Sequence, residues 1–370
     1  MPGETGSPGN RQDECVTRWL VLAVPLPRCY RWIAQRWVPH PVAPELARRK
    51  GVEDVYRTAL PQLSDEVFLT DSGLETDLIF HAGFDLPEFA AFVLVDDARG
   101  TAALDAYLRR HVDIAVQHGC GVILEAPTWR ASRDWGSRIG YPPAELRRVN
   151  QSAVGLLSRV RGDYLDAASS PVVISGCIGP RADGYRPAEH MGEDEAEDYH
   201  KEQIDVLAAT DADLVHAMTL TYAAEAAGIA RAAAGAGIPA AISFTTETDG
   251  RLPDGTSLAD AVAAVDAATG GAPAYYGVNC AHPSHFESAL PGGAIGARIR
   301  TVRANASRMS HAELDESPTL DGGDPVELAG DYMQLRAQHP KISILGGCCG
   351  TDARHVQAIA DAVLAGTGAR

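Results

Sequence analysis

Cys280 closes the run Tyr276-Gly277-Val278-Asn279-Cys280. Cys348 and Cys349 stand side by side in Ile344-Leu345-Gly346-Gly347-Cys348-Cys349-Gly350-Thr351-Asp352. Both stretches read as a buried strand running into thiols, and the second goes on to start a helix at Thr351 or Asp352. Zinc takes thiolates tetrahedrally at about 2.3 Å, and catalytic zinc sites supply three protein ligands while leaving a fourth place open. Three thiols without an obvious fourth partner therefore favour a catalytic metal, and the open place suits a substrate thiol. Gly346, Gly347 and Gly350 would let the backbone turn tightly enough for adjacent cysteines to reach one ion. Plainer readings compete. Cysteine is often a small buried hydrophobe, the reading given to Cys15, Cys29, Cys120 and Cys177. The Cys348-Cys349 pair could instead form a vicinal disulfide or redox switch, and His282 is either a substitute ligand or a helix-start histidine.

For these thiols to meet, the chain must bring distant strand ends together. From Val67 onward, short β-rich runs alternate with Ala-rich amphipathic stretches. Strands are expected at Val67–Thr70, Val122–Glu125, Val172–Ser175, Leu214–Met218, Ala240–Phe244, Tyr275–Val278, Thr301–Ala304 and Ile342–Leu345. Helical patterns lie between them, the sixth short and followed by Pro291-Gly292-Gly293. Eight such units predict a parallel (β/α)8 TIM barrel of the α/β class, a doubly wound open sheet being the alternative. Residues 63–370 form the expected barrel. Residues 1–62, rich in Pro, Arg and Trp, form an N-terminal extension in which Trp19, Trp32 and Trp37 would dock on the body or a partner subunit. A barrel does its chemistry at the C-terminal ends of its strands, which places Asp71, Glu125 to Thr128, Met218, Asn279 and Asn305 beside the thiols.

Composition narrows the partners. The chain has 370 residues, 45% hydrophobic, with 32 basic against 49 acidic residues and a net charge of −17. Such a balance argues against nucleic acid or an anionic membrane as partner. Seven cysteines, an odd number, do not suggest a secreted disulfide framework, and a reducing cytoplasm is the expected compartment. No apolar run approaches the roughly 20 residues that span a bilayer. A homo-oligomer is compatible with the composition. The acidic run Glu193–Glu197 is expected to open a helix, where its charge suits the dipole.

The sequence resembles the homocysteine S-methyltransferase family of zinc-dependent thiol methyltransferases, over roughly Val67 to Leu364. The resemblance rests chiefly on GVNC at Gly277–Cys280 and GGCCGT at Gly346–Thr351. SFTTETDGRLPDGTSL at Ser243–Leu258, SGCIGP at Ser175–Pro180 and Asn305 support it. It implies that Cys280, Cys348 and Cys349 are the zinc ligands. Two departures stand out. Ser72 and Glu75 occupy the first-strand segment where the family has small residues, and Met218 stands where the family carries a glutamate for the acceptor's amino group. Glu75 would restore that charge, or the acceptor lacks the ammonium.

These residues predict methyl transfer from an onium donor of the S-methylmethionine, S-adenosylmethionine or betaine type to the thiolate of homocysteine, giving methionine, with Zn2+ as cofactor. Asp71 is the expected acceptor contact, with Thr76 and Asn305 as polar support. Asn279 is expected to orient the cysteine loop, and Glu125, Thr128 and Trp129 to hold the cationic donor by charge and ring face. The alternatives are another small thiol, demethylation of an onium compound, or a non-catalytic barrel that senses zinc or redox state or binds a partner.

Overall fold

The computed structural model describes residues 56–165, 170–185 and 190–365. Cys15, Cys29 and the three N-terminal tryptophans lie outside them. Eight parallel strands close into a barrel in sequence order: β1 (Phe68–Thr70), β2 (Gly121–Glu125), β3 (Val172–Ile178), β4 (Leu214–Leu220), β5 (Ala240–Phe244), β6 (Tyr275–Asn279), β7 (Ile299–Ala304) and β8 (Ile344–Gly347). Pairing of β1 with both β2 and β8 excludes the open sheet. One principal helix follows each strand: α1 (Ala98–His118), α2 (Pro143–Tyr164), α3 (Glu193–Ala208), α4 (Ala223–Ala236), α5 (Leu258–Thr269), α6 (Pro283–Phe286), α7 (Pro325–Gln338) and α8 (Ala353–Leu364).

Local chemistry sets several of these boundaries. Asp97 caps α1 by accepting from Gly100 N, and Gly119, at φ 64°, ends it in the left-handed conformation that glycine takes without penalty. Ser257 caps α5, and Asp352 caps α8, so that the helix begins at Ala353, just past the expected start at Thr351 or Asp352. The sixth helix is a single turn, as its sequence suggested, and β7 begins two residues earlier than expected.

Every strand residue is buried, because helices cover the outside and side chains fill the inside. Alternation along the strands builds the interior in layers. The lowest layer is apolar: Phe68, Ile123, Val173, Leu214, Ala241, Tyr275 and Ile344 form one cluster with Leu60. Two residues further along each strand the layer turns polar, with Glu125, Ser175, His216, Ser243 and Arg303 all buried. One more step reaches the mouth, with Cys177, Met218, Asn279 and Cys348. Below the barrel, Arg57 donates to the carbonyls of Ala208, Thr210 and Ala212 at the end of α3. Thus residues 56–62, read from sequence as part of an extension, pack against the barrel floor. Among the described residues no helix is long and apolar enough to cross a membrane.

Candidate active site

Cys280 leaves β6 with φ at 60°, a left-handed conformation unusual for a residue with a side chain. Its carbonyl is held by Asn305 Nδ2 (3.0 Å), His311 Nε2 (2.7 Å) and Thr245 Oγ1 (3.3 Å). From β8, Cys348 N donates to the Ala304 carbonyl at 2.8 Å. The sulfurs of Cys280 and Cys349 lie 3.5 Å apart, and all three Sγ atoms fall within 4.8 Å of one another. All three are free thiols, so the Cys348-Cys349 pair is not a disulfide. Hydrogen bonds from Cys280 and Cys349 hold Cys348 well below the usual thiol range, and the bond to Cys348 pushes Cys280 up. Three soft donors converging on one point fit a thiophilic cation of the zinc kind.

The glycines act differently from expectation. Gly346 and Gly347 are strand residues in β8, and only Gly350, at φ 81°, takes the left-handed turn. A Cβ on Gly346 would lie 1.8 Å from Thr70 Oγ1 and 2.7 Å from the Asp71 carbonyl, so this glycine permits close approach of β1.

Asn279, the last residue of β6, reaches past β5 to clamp β4. Its Oδ1 accepts from Thr219 N at 2.7 Å and its Nδ2 donates to Thr219 Oγ1 at 2.9 Å. Thr219 is itself at φ 63°, in a stretch where the β4–β5 register shifts. Asn279 Nδ2 also lies 3.8 Å from Cys348 Sγ.

A cavity of about 150 Å³ opens over the thiols, lined in part by Asp71, Glu75, Trp129, Arg130, Met218 and Arg303. Asp71 is ion-paired with Arg303, and burial pushes its carboxyl up to about 7. Burial also works to raise Glu125, but His216 at 2.9 Å and Arg303 at 3.4 Å outweigh it and hold it below the usual range. His216 Nε2 continues the chain to Ser243 Oγ at 2.7 Å. Glu75 takes no hydrogen bond or ion pair from another side chain among the described residues, and burial pushes it up to about 7. Ser72, unexpected at its position, bonds His111 Nε2 (3.0 Å) and Tyr107 Oη (3.2 Å) of α1.

Several expected contacts are redirected. Asn305 is not part of the cavity lining; its Nδ2 donates to the Cys280 carbonyl, and its Oδ1 is buried with no partner among the described residues. Thr76 donates to Gly73 O and accepts from Gly350 N, bracing the loops after β1 and β8 to each other. Glu125 is committed to His216 and Arg303, deep in the polar layer. Thr128 is fully buried and donates to the Cys177 carbonyl. Trp129 lines the cavity, but the Arg130 guanidinium lies 4.0 Å over its ring and takes that face from a cationic donor. His282 caps α6, and the run Glu193–Glu197 opens α3, paired with Arg181 and Arg231.

Sequence reasoning missed Tyr185 and His311. Tyr185 Oη lies 2.8 Å from Cys280 Sγ and 3.5 Å from Cys349 Sγ, and its ring stacks on His311 at 4.2 Å. Tyr185 comes from the loop after β3 and nothing local marked it, whereas His311 opens the short helix His311–Glu316, whose capping box Ser310–Glu313 marked the helix start but not the contact with the thiol loop. Arg303 and His216 were findable, since each sits in phase with an inward strand position.

A closed (β/α)8 barrel with convergent thiols at its mouth defines a barrel enzyme. The chain belongs to the homocysteine S-methyltransferase family, whose model matches residues 71–363, and is a methyltransferase. It is 27% identical over 243 residues to homocysteine S-methyltransferase YbgG of Bacillus subtilis (strain 168), covering 60% of this chain and 72% of that protein. With homocysteine S-methyltransferase 4 of Zea mays it shares 25% identity over 324 residues, covering 80% of this chain and 89% of that one. The metallated crystal structure of the homocysteine methyltransferase MmuM from Escherichia coli superposes with a TM-score of 0.63 at 20% identity, covering 83% of this chain and 99% of that one. The oxidized form gives 0.64 at 21%, covering 82% and 97%. At these identities the structural likeness concerns the fold.

Proposed function

We propose that the chain transfers a methyl group from an onium donor to the sulfur of homocysteine, at a zinc held by Cys280, Cys348 and Cys349. The observation that carries this reading is the convergence of three sulfurs within 4.8 Å at the floor of a cavity. Zinc, when bound, supplies the positive charge that lets an acceptor thiol react as thiolate near neutral pH. The chain's own groups do the rest. Asn279, Asn305 and His311 fix the cysteine backbone. Tyr185 covers the thiols from the cavity side and gives way to the entering sulfur. Glu75, with no side-chain hydrogen-bond or ion-pair partner among the described residues, receives the acceptor's ammonium, while the Asp71–Arg303 pair borders the same space. As the new C–S bond forms, the donor's C–S or C–N bond breaks and its electron pair stays on the donor, now neutral at that atom. The cavity lining includes five carboxylates (Asp71, Glu75, Glu125, Asp183, Asp315) against two guanidinium groups (Arg130, Arg303), a balance that favours a cationic donor.

Purified protein tested with homocysteine and each onium donor is expected to give methionine and to hold about one zinc per chain. Cys348→Ser should lose metal and activity together, with activity falling by about 100-fold or more. Glu75→Gln should raise KM for homocysteine by about tenfold, the worth of a charge-assisted hydrogen bond. Met218 favours a second reading, a thiol without an amino group. Turnover of 3-mercaptopropionate with none of homocysteine would establish that reading and reject the first.

A further inference from the structure

Arg130 lines the cavity, and among the described residues most of its hydrogen-bonding capacity is unspent. It is 5% exposed, and its guanidinium lies 4.0 Å from the Trp129 ring centre and 3.5 Å from that of Trp135, so the two indoles fix its position. Of its five N–H groups, one on Nη1 reaches the Ala182 carbonyl at 3.2 Å. Nε is buried with no acceptor among the described residues. Nη2 lies 3.6 Å from Asp183 Oδ2, beyond hydrogen-bond length, and that aspartate side chain is 47% exposed. Burial lowers Arg130 to about 10, which leaves it charged at neutral pH. The other cavity guanidinium, Arg303, is already engaged by Asp71 and Glu125. A desolvated guanidinium held by ring faces and one loose ion pair is incomplete without an anion.

We propose that Arg130 seats the carboxylate of the acceptor, and that Asp183 is the internal competitor this carboxylate displaces. The acceptor is then an amino-acid thiol, gripped by its carboxylate at Arg130, its ammonium at Glu75 and its sulfur at the cysteines. The loop after β3 touches both outer contacts, since two residues beyond Asp183 it lays Tyr185 against the thiols. The inference rests on the methyl-transfer reading of the cavity and adds a specificity-determining residue to it.

Calorimetry on the full-length, zinc-loaded protein tests it without turnover, using L-methionine and its decarboxylated counterpart, 3-(methylthio)propylamine. Wild type should bind methionine about tenfold or more tightly than the amine, the worth of a charge-assisted contact. Arg130→Met should abolish that preference. Asp183→Asn should tighten methionine binding severalfold, a gain that a misfolded variant cannot produce. The inference is overturned if wild type shows no preference for methionine, if Arg130→Met retains it, or if Asp183→Asn brings no gain. Failure of the methyl-transfer reading would appear separately, as no methylated product from any thiol while the calorimetric preference stands.

Discussion

Two residues at the mouth ends of β4 and β6 hold an unfavourable backbone conformation, Thr219 at φ 63° and Cys280 at φ 60°, and Asn279 is bonded to the first and precedes the second. Such conformations cost on the order of 1–3 kcal/mol each and persist where the surroundings over-determine them. Removing the clamp with Asn279→Ala should therefore destabilise the fold by about 2 kcal/mol and weaken zinc binding by about tenfold. Urea denaturation and competition with a chelating dye measure the two effects. A second residue-scale effect concerns pH. His111 is fully buried, donates to the Tyr107 carbonyl at 2.8 Å, and is lowered by burial to about 4. The unfolded chain binds this proton first, from an ordinary value of about 6.5, so stability is full above that pH and falls as pH drops towards 4, by up to roughly 3 kcal/mol. Unfolding midpoints at pH 7.5 and 5, compared between wild type and His111→Gln, isolate the effect, because the raised carboxyls of Asp71 and Glu75 oppose it equally in both proteins. At this scale the sequence was legible where residue type and motif coincided, as at the three cysteines. Asn305 was expected as polar support for the acceptor and its Nδ2 holds the Cys280 carbonyl; a side chain at a strand end turns either to the cavity or to the backbone behind it, and the sequence does not say which.

Among the elements, β8 and β1 approach so closely that glycine is required. Gly346→Ala would drive its methyl group into Thr70 Oγ1 and the Asp71 carbonyl, and part of that obstruction is backbone that cannot rotate away. Overpacking of this kind costs about 1–3 kcal/mol, and the displaced strand would carry Cys348 with it. The expected outcome is a lower melting temperature together with zinc content well below one per chain, read by calorimetry and metal analysis. The strand-helix alternation was legible because strands covered on both faces are rich in apolar β-formers and several helices carry their own caps, as at Asp97, Ser257 and Asp352. The extension of β3 to Ile178 and of β4 to Leu220 was less so. Gly176 interrupts the apolar run of β3 and Thr219 that of β4, and Thr219 is held by the Asn279 clamp, which no local pattern announces.

At the scale of the whole molecule, the barrel interior departs from the bulky aliphatic layers expected of the fold, because Arg303, Glu125, His216 and Ser243 fill the middle layer. Arg303→Met would leave Asp71 buried without its cation and Glu125 with His216 alone. It should cost about 3–5 kcal/mol, whereas replacing Arg303 and Glu125 together should cost less than the sum of the two single changes. Equilibrium unfolding of the two single variants and the double variant closes this cycle. Strand alternation alone reveals which side chains point inward, but the partner each charge meets comes from a different strand. The consequence reaches into the lineage of this chain. In this ladder of Asp71, Arg303, Glu125 and His216, exchanging Arg303 alone strands buried carboxylates, so a descendant reaches an apolar middle layer only by crossing a valley of poorly folded intermediates, or by changing several positions at once. The ladder therefore works as an evolutionary ratchet: once assembled, it keeps the floor beneath the thiols fixed while the loops above remain free to diverge.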